Sequence, residues 1–125
     1  MKYKMIVLDL DGTLTNNKKL ITPHTQQALM LAQAAGVHVV LASGRPTYGI
    51  VPLAEELKLK ENNGYILAFN GGKIIDCTNN NVLFEQKLDE QLVPLLYQEA
   101  KKANMEILTY QGEGIAATNK DDKYV

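Results

Sequence analysis

The sequence predicts an α/β fold whose core is a sheet of parallel strands, followed by the start of a smaller α+β unit. Three observations predict it. The apolar runs Met5–Leu8, Val37–Ala42 and Tyr65–Phe69 have the length of buried strands. A segment with helical spacing separates the first two. Each run then ends in a polar or glycine-rich stretch: Asp9–Thr13, Ser43-Gly44-Arg45 and Asn70-Gly71-Gly72. Ligands of open α/β sheets lie beyond the C-terminal strand ends, so these three stretches are expected to form one site for a charged, oxygen-rich ligand.

The first strand is expected over Lys4–Asp9, with Met5-Ile6-Val7-Leu8 reading as buried. Thr22 suits a helix N-cap and Pro23 suits the first helical position, where a missing N–H costs nothing. Ala28, Leu29, Leu31, Ala32 and Ala35 recur with helical spacing, and Gly36 ends that helix. Val37–Ala42 is nearly all apolar, as in a parallel strand covered on both faces. Thr47 caps a second helix running to about Leu57, with Pro52 implying a kink or break. After Tyr65–Phe69 the rhythm changes. Turns at Asn70-Gly71-Gly72 and Asn79-Asn80-Asn81 flank short strands at Lys73–Asp76 and Val82–Glu85. Asp89 caps a helix over Glu90–Ala103 with Leu92, Leu95, Leu96 and Ala100 on one side. Met105–Tyr110 and Ile115–Thr118 form a hairpin around Gly112-Glu113-Gly114.

Composition narrows the function classes. The chain has 125 residues, 46% hydrophobic and 22% charged, which permits a packed core. A net charge of −1 without a basic patch argues against nucleic acid as a partner. No apolar stretch approaches the roughly 20 residues of a membrane helix, so no membrane partner is expected. The apolar run after Lys2 and Lys4 stops at Asp9, too early for a signal peptide. The lone Cys77 suits a reducing compartment, and a cytoplasmic location is expected.

The chemistry concentrates at Asp9-Leu10-Asp11-Gly12-Thr13-Leu14. Residues i and i+2 of an extended chain share a face, so both carboxylates project from one strand tip. At about 4 Å, like charges repel by roughly 4 kcal/mol at an effective dielectric near 20, which calls for a cation or a proton between them. Asp11-Gly12 reads alternatively as a hairpin turn joining Met5–Leu10 to Thr13–Thr15. A calcium loop fails, because Thr13, Leu14 and Leu20 stand where it needs a ligand, a glycine and a glutamate. No phosphate-cradling GxxxxGK[ST] occurs. Arg45 alone fits a surface ion pair equally well. His24 and His38 read as structural or exposed, Cys77 as inert, and Asp121-Asp122 as a solvated turn.

The ordered set DLDGTL, LASGRP and FNGG after three successive strands resembles the haloacid dehalogenase-like (HAD) superfamily of phosphohydrolases. It looks most like the Cof-type, subclass IIB branch, which mostly hydrolyses small phosphorylated metabolites, many of them sugar phosphates. The resemblance implies a partial Rossmann-like core over residues 1–82 and an incomplete α+β cap domain over 83–125. It implies that Asp9 attacks phosphorus to form an aspartyl-phosphate, and that Asp11 protonates the leaving alcohol and later deprotonates water. Mg²⁺ is then expected on the Asp9 carboxylate and the Asp11 backbone carbonyl. Ser43 is expected to hold the phosphoryl group, with Gly12, Gly44, Arg45, Asn70 and Gly71 on the phosphate side. The family also uses a lysine and an acidic pair that follow the cap. None of Lys87, Lys101, Lys102, Lys120 and Lys123 is placed to replace that lysine. The chain is therefore expected to be the N-terminal piece of a longer phosphatase, binding Mg²⁺ weakly and turning over little. Its first strand is expected to form an exposed edge open to self-association. The rival readings are a phosphomutase of the same superfamily and a non-enzymatic phosphate-binding module.

Overall fold

A computed structural model describes residues 2–119 and 121; Lys120, Asp122 and Lys123 lie outside the described residues. The chain forms two units, Met1–Gln86 and Lys87–Val125. Unit one contains β1 (Met5–Asp9), α1 (Pro23–Ala34), β2 (His38–Ala42), α2 (Val51–Glu56), β3 (Tyr65–Ala68), β4 (Lys73–Asp76) and β5 (Asn81–Glu85). These strands make one mixed sheet in the order β1-β2-β3-β4-β5. The first three strands are parallel; β4 and β5 join antiparallel.

Local chemistry explains the element ends. The Thr22 hydroxyl accepts from the Thr25 N–H at 3.3 Å and Pro23 opens α1. Beyond α1, the Gly36 N–H donates to the Gln33 carbonyl and the Val37 N–H to the Ala32 carbonyl, at 2.9 and 3.0 Å. This pairing needs a left-handed residue, and Gly36 supplies it with φ +84. Pro52 breaks the second helix as expected: a 3-10 turn spans Thr47–Gly49 and α2 begins only at Val51. Proline, lacking an N–H, fits the first turn of α2 but not the interior of a longer helix.

The core lies between the helices and one face of the sheet. Leu29 of α1, Leu53, Ala54 and Leu57 around α2, Val39 and Leu41 of β2, and Ile66 of β3 form one buried cluster. Val39 pairs with Ile6 and Leu41 with Leu8, so β1 turns Ile6 and Leu8 toward this cluster. Two sequence readings are corrected here. Met5 and Val7 are 51% and 56% exposed, because β1 is the sheet edge and these residues share the face opposite the helices. Leu31 does not join the core face of α1 and is 65% exposed. The buried positions of α1 are Leu29 and Gln33, four apart on one stripe, and Leu31 falls on the far side of the helix.

The boundary between units falls after Gln86, beyond the position read from sequence. β5 pairs with β4, and the Gln86 N–H donates to the Gly72 carbonyl at 2.8 Å, which ties this segment to the sheet. In unit two, Asp89 caps a 3-10 turn over Glu90–Leu92, accepting from the Gln91 N–H at 3.0 Å. α3 (Val93–Lys102) follows, with Pro94 in its first turn instead of inside one continuous helix from Glu90. β6 (Leu108–Gln111) and β7 (Gly114–Ala117) pair as the expected hairpin. Leu92, Leu95 and Leu96 are exposed, not covered. Among the described residues no helix is long and apolar enough to cross a membrane.

Leu41 is fully buried, so Leu41→Ala removes a side chain the cluster cannot close over. It is expected to cost about 2–5 kcal/mol in urea unfolding. Val7→Ala, on the open face of the edge strand, is expected to cost under about 1 kcal/mol in the same experiment.

Candidate active site

The parallel register builds the site. Asp9 pairs with Ala42, and Ala42 with Leu67, so all three strands end level at one edge of the sheet. Past β1 the burial alternates: Asp9 exposed, Leu10 fully buried, Asp11 exposed. The turn that follows is closed by the Leu14 N–H on the Asp9 carbonyl at 3.1 Å and the Thr15 N–H on the Leu10 carbonyl at 2.9 Å. The Thr15 hydroxyl also donates to the Leu10 carbonyl at 3.0 Å. This is no hairpin, since Thr13–Thr15 forms no strand and the Asp11–Thr15 bridge is parallel in sense. That alternative for Asp11-Gly12 therefore falls.

The end of β2 reaches across to this turn. Arg45 Nε donates to Asp11 Oδ2 at 3.0 Å and Arg45 Nη2 to Asp11 Oδ1 at 2.5 Å, a two-pronged ion pair between positions 34 residues apart. Arg45 Nη1 donates to the Gly49 carbonyl at 3.2 Å, which fixes the fork from behind. The Ser43 hydroxyl accepts from the Arg45 N–H at 3.1 Å. The end of β3 closes the third side: the Asn70 N–H donates to the Ser43 carbonyl at 3.1 Å and the Phe69 N–H to the Arg45 carbonyl at 3.0 Å. A Cβ on Gly44 would lie 3.0 Å from the Asn70 side-chain oxygen, so glycine is what allows this approach. Phe69, Asn70 and Gly71 are all left-handed, with φ +54, +55 and +88. Two non-glycine residues in succession there store backbone strain, of order 1–2 kcal/mol each.

The structure thus joins Asp11, Ser43, Gly44, Arg45 and Asn70 directly. Asp9 sits at the tip of β1, and Gly12 and Gly71 lie in the adjoining turns. It also adds a residue that the sequence reading missed: Lys19 Nζ donates to Asp11 Oδ1 at 2.6 Å. Nothing in the local pattern marks Lys19, because its meeting with Asp11 depends on how the loop after Thr15 folds back.

Two cations on one carboxylate set its charge. The hydrogen bonds from Arg45 and then Lys19 hold the Asp11 carboxyl down, from 3.8 to about 2. The Asp11 side chain remains 40% exposed, so solvent screens the pair and its contribution to stability is modest. Elsewhere His38 Nδ1 donates to the Asn63 carbonyl at 2.8 Å, a structural role. Burial pushes the Cys77 thiol up to about 11, which leaves it unreactive.

Among the described residues no group of three or more His, Cys, Asp or Glu is placed to hold a metal. The donors at the tip of β1 nevertheless suit a hard divalent cation in kind. The Asp9 carboxylate and the Asp11 carbonyl are oxygen donors, and that carbonyl accepts no backbone hydrogen bond among the described residues. Mg²⁺ commonly takes one or two carboxylates and keeps water in its other positions.

A family profile described as haloacid dehalogenase-like hydrolase matches residues 6–125. The chain belongs to the haloacid dehalogenase-like hydrolases. The solved structure of one such hydrolase from Bacteroides thetaiotaomicron superimposes with a TM-score of 0.87 at 50% identity, over 96% of this chain and 45% of that one. A sugar phosphatase of HAD subclass IIB superimposes with a TM-score of 0.73 at 23% identity, over 91% of this chain and 43% of that one, a likeness of fold alone. The 5-amino-6-(5-phospho-D-ribitylamino)uracil phosphatase YcsE of Bacillus subtilis is 39% identical over 85 residues, 68% of this chain and 32% of its own length. The Bacillus subtilis protein YxeH is 32% identical over 119 residues, 95% of this chain and 44% of its own. The chain spans less than half the length of these relatives.

The lowered Asp11 value fixes a pH dependence. Its ion pairs are fully formed above pH 3.8 and are lost as the pH falls through about 2. Carboxyl-carbon NMR is expected to show Asp11 titrating near 2, and nearer 3.8 in Arg45→Met. An unchanged midpoint in that variant would remove Arg45 as the cause.

Proposed function

We propose that this chain carries the nucleophile side of a Mg²⁺-dependent phosphatase that cleaves small phosphorylated metabolites through an aspartyl-phosphate. The observation that carries the proposal is the fork of Arg45 on Asp11, with Asn70 and Ser43 bonded behind it. It gathers an acid pair, a hydroxyl, a guanidinium and a glycine-lined turn at the C-terminal ends of three parallel strands. Such a set suits a phosphate ester, whose uncatalysed hydrolysis is slow enough to require accelerations up to about 10²¹.

The steps are those that the family resemblance implies for these residues. An Asp9 carboxylate oxygen attacks phosphorus, and the ester P–O bond breaks. The departing alkoxide takes its proton through Asp11, which is a carboxylate at rest and first receives that proton from solvent or from the monoanionic ester. Asp11 then takes a proton from a water molecule, whose oxygen attacks the aspartyl-phosphate; the Asp9–phosphorus bond breaks and inorganic phosphate leaves. Splitting the reaction in this way replaces one difficult step with two easier ones. The Ser43 hydroxyl and the amides around Gly12 and Gly44 hold the phosphoryl oxygens. Mg²⁺ would be held by the Asp9 carboxylate and the Asp11 carbonyl and, when bound, would supply charge neutralisation between nucleophile and phosphate. Asp11 held near 2 is a carboxylate at neutral pH, so its role as an acid requires Arg45 and Lys19 to let go of it first. The substrate class is supported by the name of one relative, which specifies a phosphorylated ribitylaminouracil.

Exposure of the chain to p-nitrophenyl phosphate with Mg²⁺, followed by borohydride trapping and peptide mass analysis, is expected to place the phosphoryl group on Asp9. Asp9→Asn is expected to abolish labelling. Calorimetry is expected to show weak Mg²⁺ binding that Asp9→Asn removes. Labelling at another residue, or none with Mg²⁺ present, would overturn the proposal.

A further inference from the structure

We infer that Lys19 is a substrate-binding residue of this site, forming with Arg45 a two-cation cradle for the phosphoryl oxygens of a phosphate monoester. The inference rests on the phosphatase reading and adds to it a residue from a loop that none of the strand-end motifs contains.

The loop is built to hold this lysine in place. Its ends are anchored by Thr15 and Ile21, which are 3% and 7% exposed. Between them Asn16 closes a tight turn. Its side-chain oxygen accepts from the Lys18 N–H at 2.9 Å and the Leu20 N–H at 3.1 Å. Its carbonyl accepts from the Lys19 N–H at 2.9 Å, and its own N–H donates to the Leu20 carbonyl at 3.0 Å. Lys19 lies at the reversal with φ +62, a conformation uncommon for lysine. Lys58 shares that conformation at φ +53, but it follows the end of α2, where a left-handed residue terminates a helix. Lys19 terminates no helix.

The geometry then gives the lysine its role. Lys19 Nζ and Arg45 Nη2 converge from different loops on the same oxygen, Asp11 Oδ1, at 2.6 and 2.5 Å. Two donors that meet on one carboxylate oxygen are spaced to meet on one phosphoryl oxygen, and Arg45 offers the planar fork that phosphate accepts. Charge balance points the same way. Asp9 and Asp11 both repel an incoming phosphate dianion, and a second side-chain cation beside Arg45 lowers that repulsion. In this arrangement the Asp11 carboxylate occupies the place that a phosphoryl oxygen takes over. A merely solvated surface pair, which the 63% exposure of the Lys19 side chain would also suit, predicts no link to anion binding.

The test is an NMR titration of the 125-residue chain with inorganic phosphate, followed at the Gly12 and Gly44 amides. Lys19→Asn removes the cation while suiting the left-handed backbone, so folding is retained. It is expected to weaken phosphate binding about tenfold, the scale of one charge-assisted hydrogen bond, and Lys19→Arg to restore most of it. Asp11→Asn frees both cations and is expected to tighten binding, a gain that Lys19→Asn reduces in the double variant. Phosphate binding that Arg45→Met weakens and Lys19→Asn leaves unchanged would overturn the role of Lys19 and spare the phosphatase reading. Wild-type chain that binds no phosphate, or binding that Arg45→Met does not weaken, would overturn both.

Discussion

Everything at this site depends on β1, β2 and β3 running parallel and in register. A strand rises about 3.3 Å per residue. Had β2 run antiparallel to β1, Ser43 and Arg45 would emerge at the opposite end of the sheet, more than 10 Å from Asp11. Parallel pairing with Asp9 opposite Ala42 brings the turns after both strands out side by side. The fork of Arg45 on Asp11 and the bonds from Asn70 and Phe69 to the Ser43–Arg45 loop are consequences of that alignment. The crossover helices α1 and α2, both packed in the Val39–Leu41 core, make the parallel order possible.

Inside this frame the dominant force is electrostatic. A carboxylate at a sheet end, exposed beside a second one two residues earlier, would ordinarily sit near the common carboxylate range or above it. Asp11 lies well below, because a guanidinium and an ammonium reach it from two separate loops. The resting arrangement is thus a closed set of charges, stable as it stands and unsuited to giving up a proton. An incoming anion that draws the cations to itself changes both facts at once. In the proposed mechanism, substrate binding and the readiness of Asp11 for proton transfer would be two aspects of one exchange of partners.

The sequence made visible what depends on local chemistry and periodicity. Thr22 and Pro23 announced the start of α1, Gly36 its end, and the break at Pro52 its neighbour's late start. The three strand ends were legible because polar and glycine residues stood where apolar runs stopped, and their order carried the family. What the sequence did not disclose depends on partners in space. Leu31 has the right spacing for a core position, yet the stripe of α1 that meets β2 runs through Leu29 and Gln33. The apolar character of Met5 and Val7 says nothing about which face of an edge strand the helices cover. The strand over Asn81–Glu85 was legible from the asparagine turn before it, but that it belongs wholly with the sheet depends on its pairing with β4. Lys19 escaped notice for the same reason: its partner is fixed by a loop closure, not by a motif.

One tension remains between the sheet and its chemistry. The nucleophile role proposed for Asp9 calls for a rigid element, since a displacement near 1 Å can cost about 10²-fold in rate. Yet Asp9 ends an edge strand, paired on one side only. The turn that follows resolves this. Leu10 is fully buried and Leu14 is 4% exposed, so the chain is bolted to the core immediately after Asp9 and again four residues later. The Asp9 carbonyl is itself held by the Leu14 N–H at 3.1 Å. Leu10, between the two acids, acts as the pivot: with its side chain in the core, alternation leaves Asp9 and Asp11 facing outward. The leucine in the first motif therefore does as much to aim the two carboxylates as the strand does. Precision at an exposed edge is supplied by the apolar residues threaded through the turn after β1.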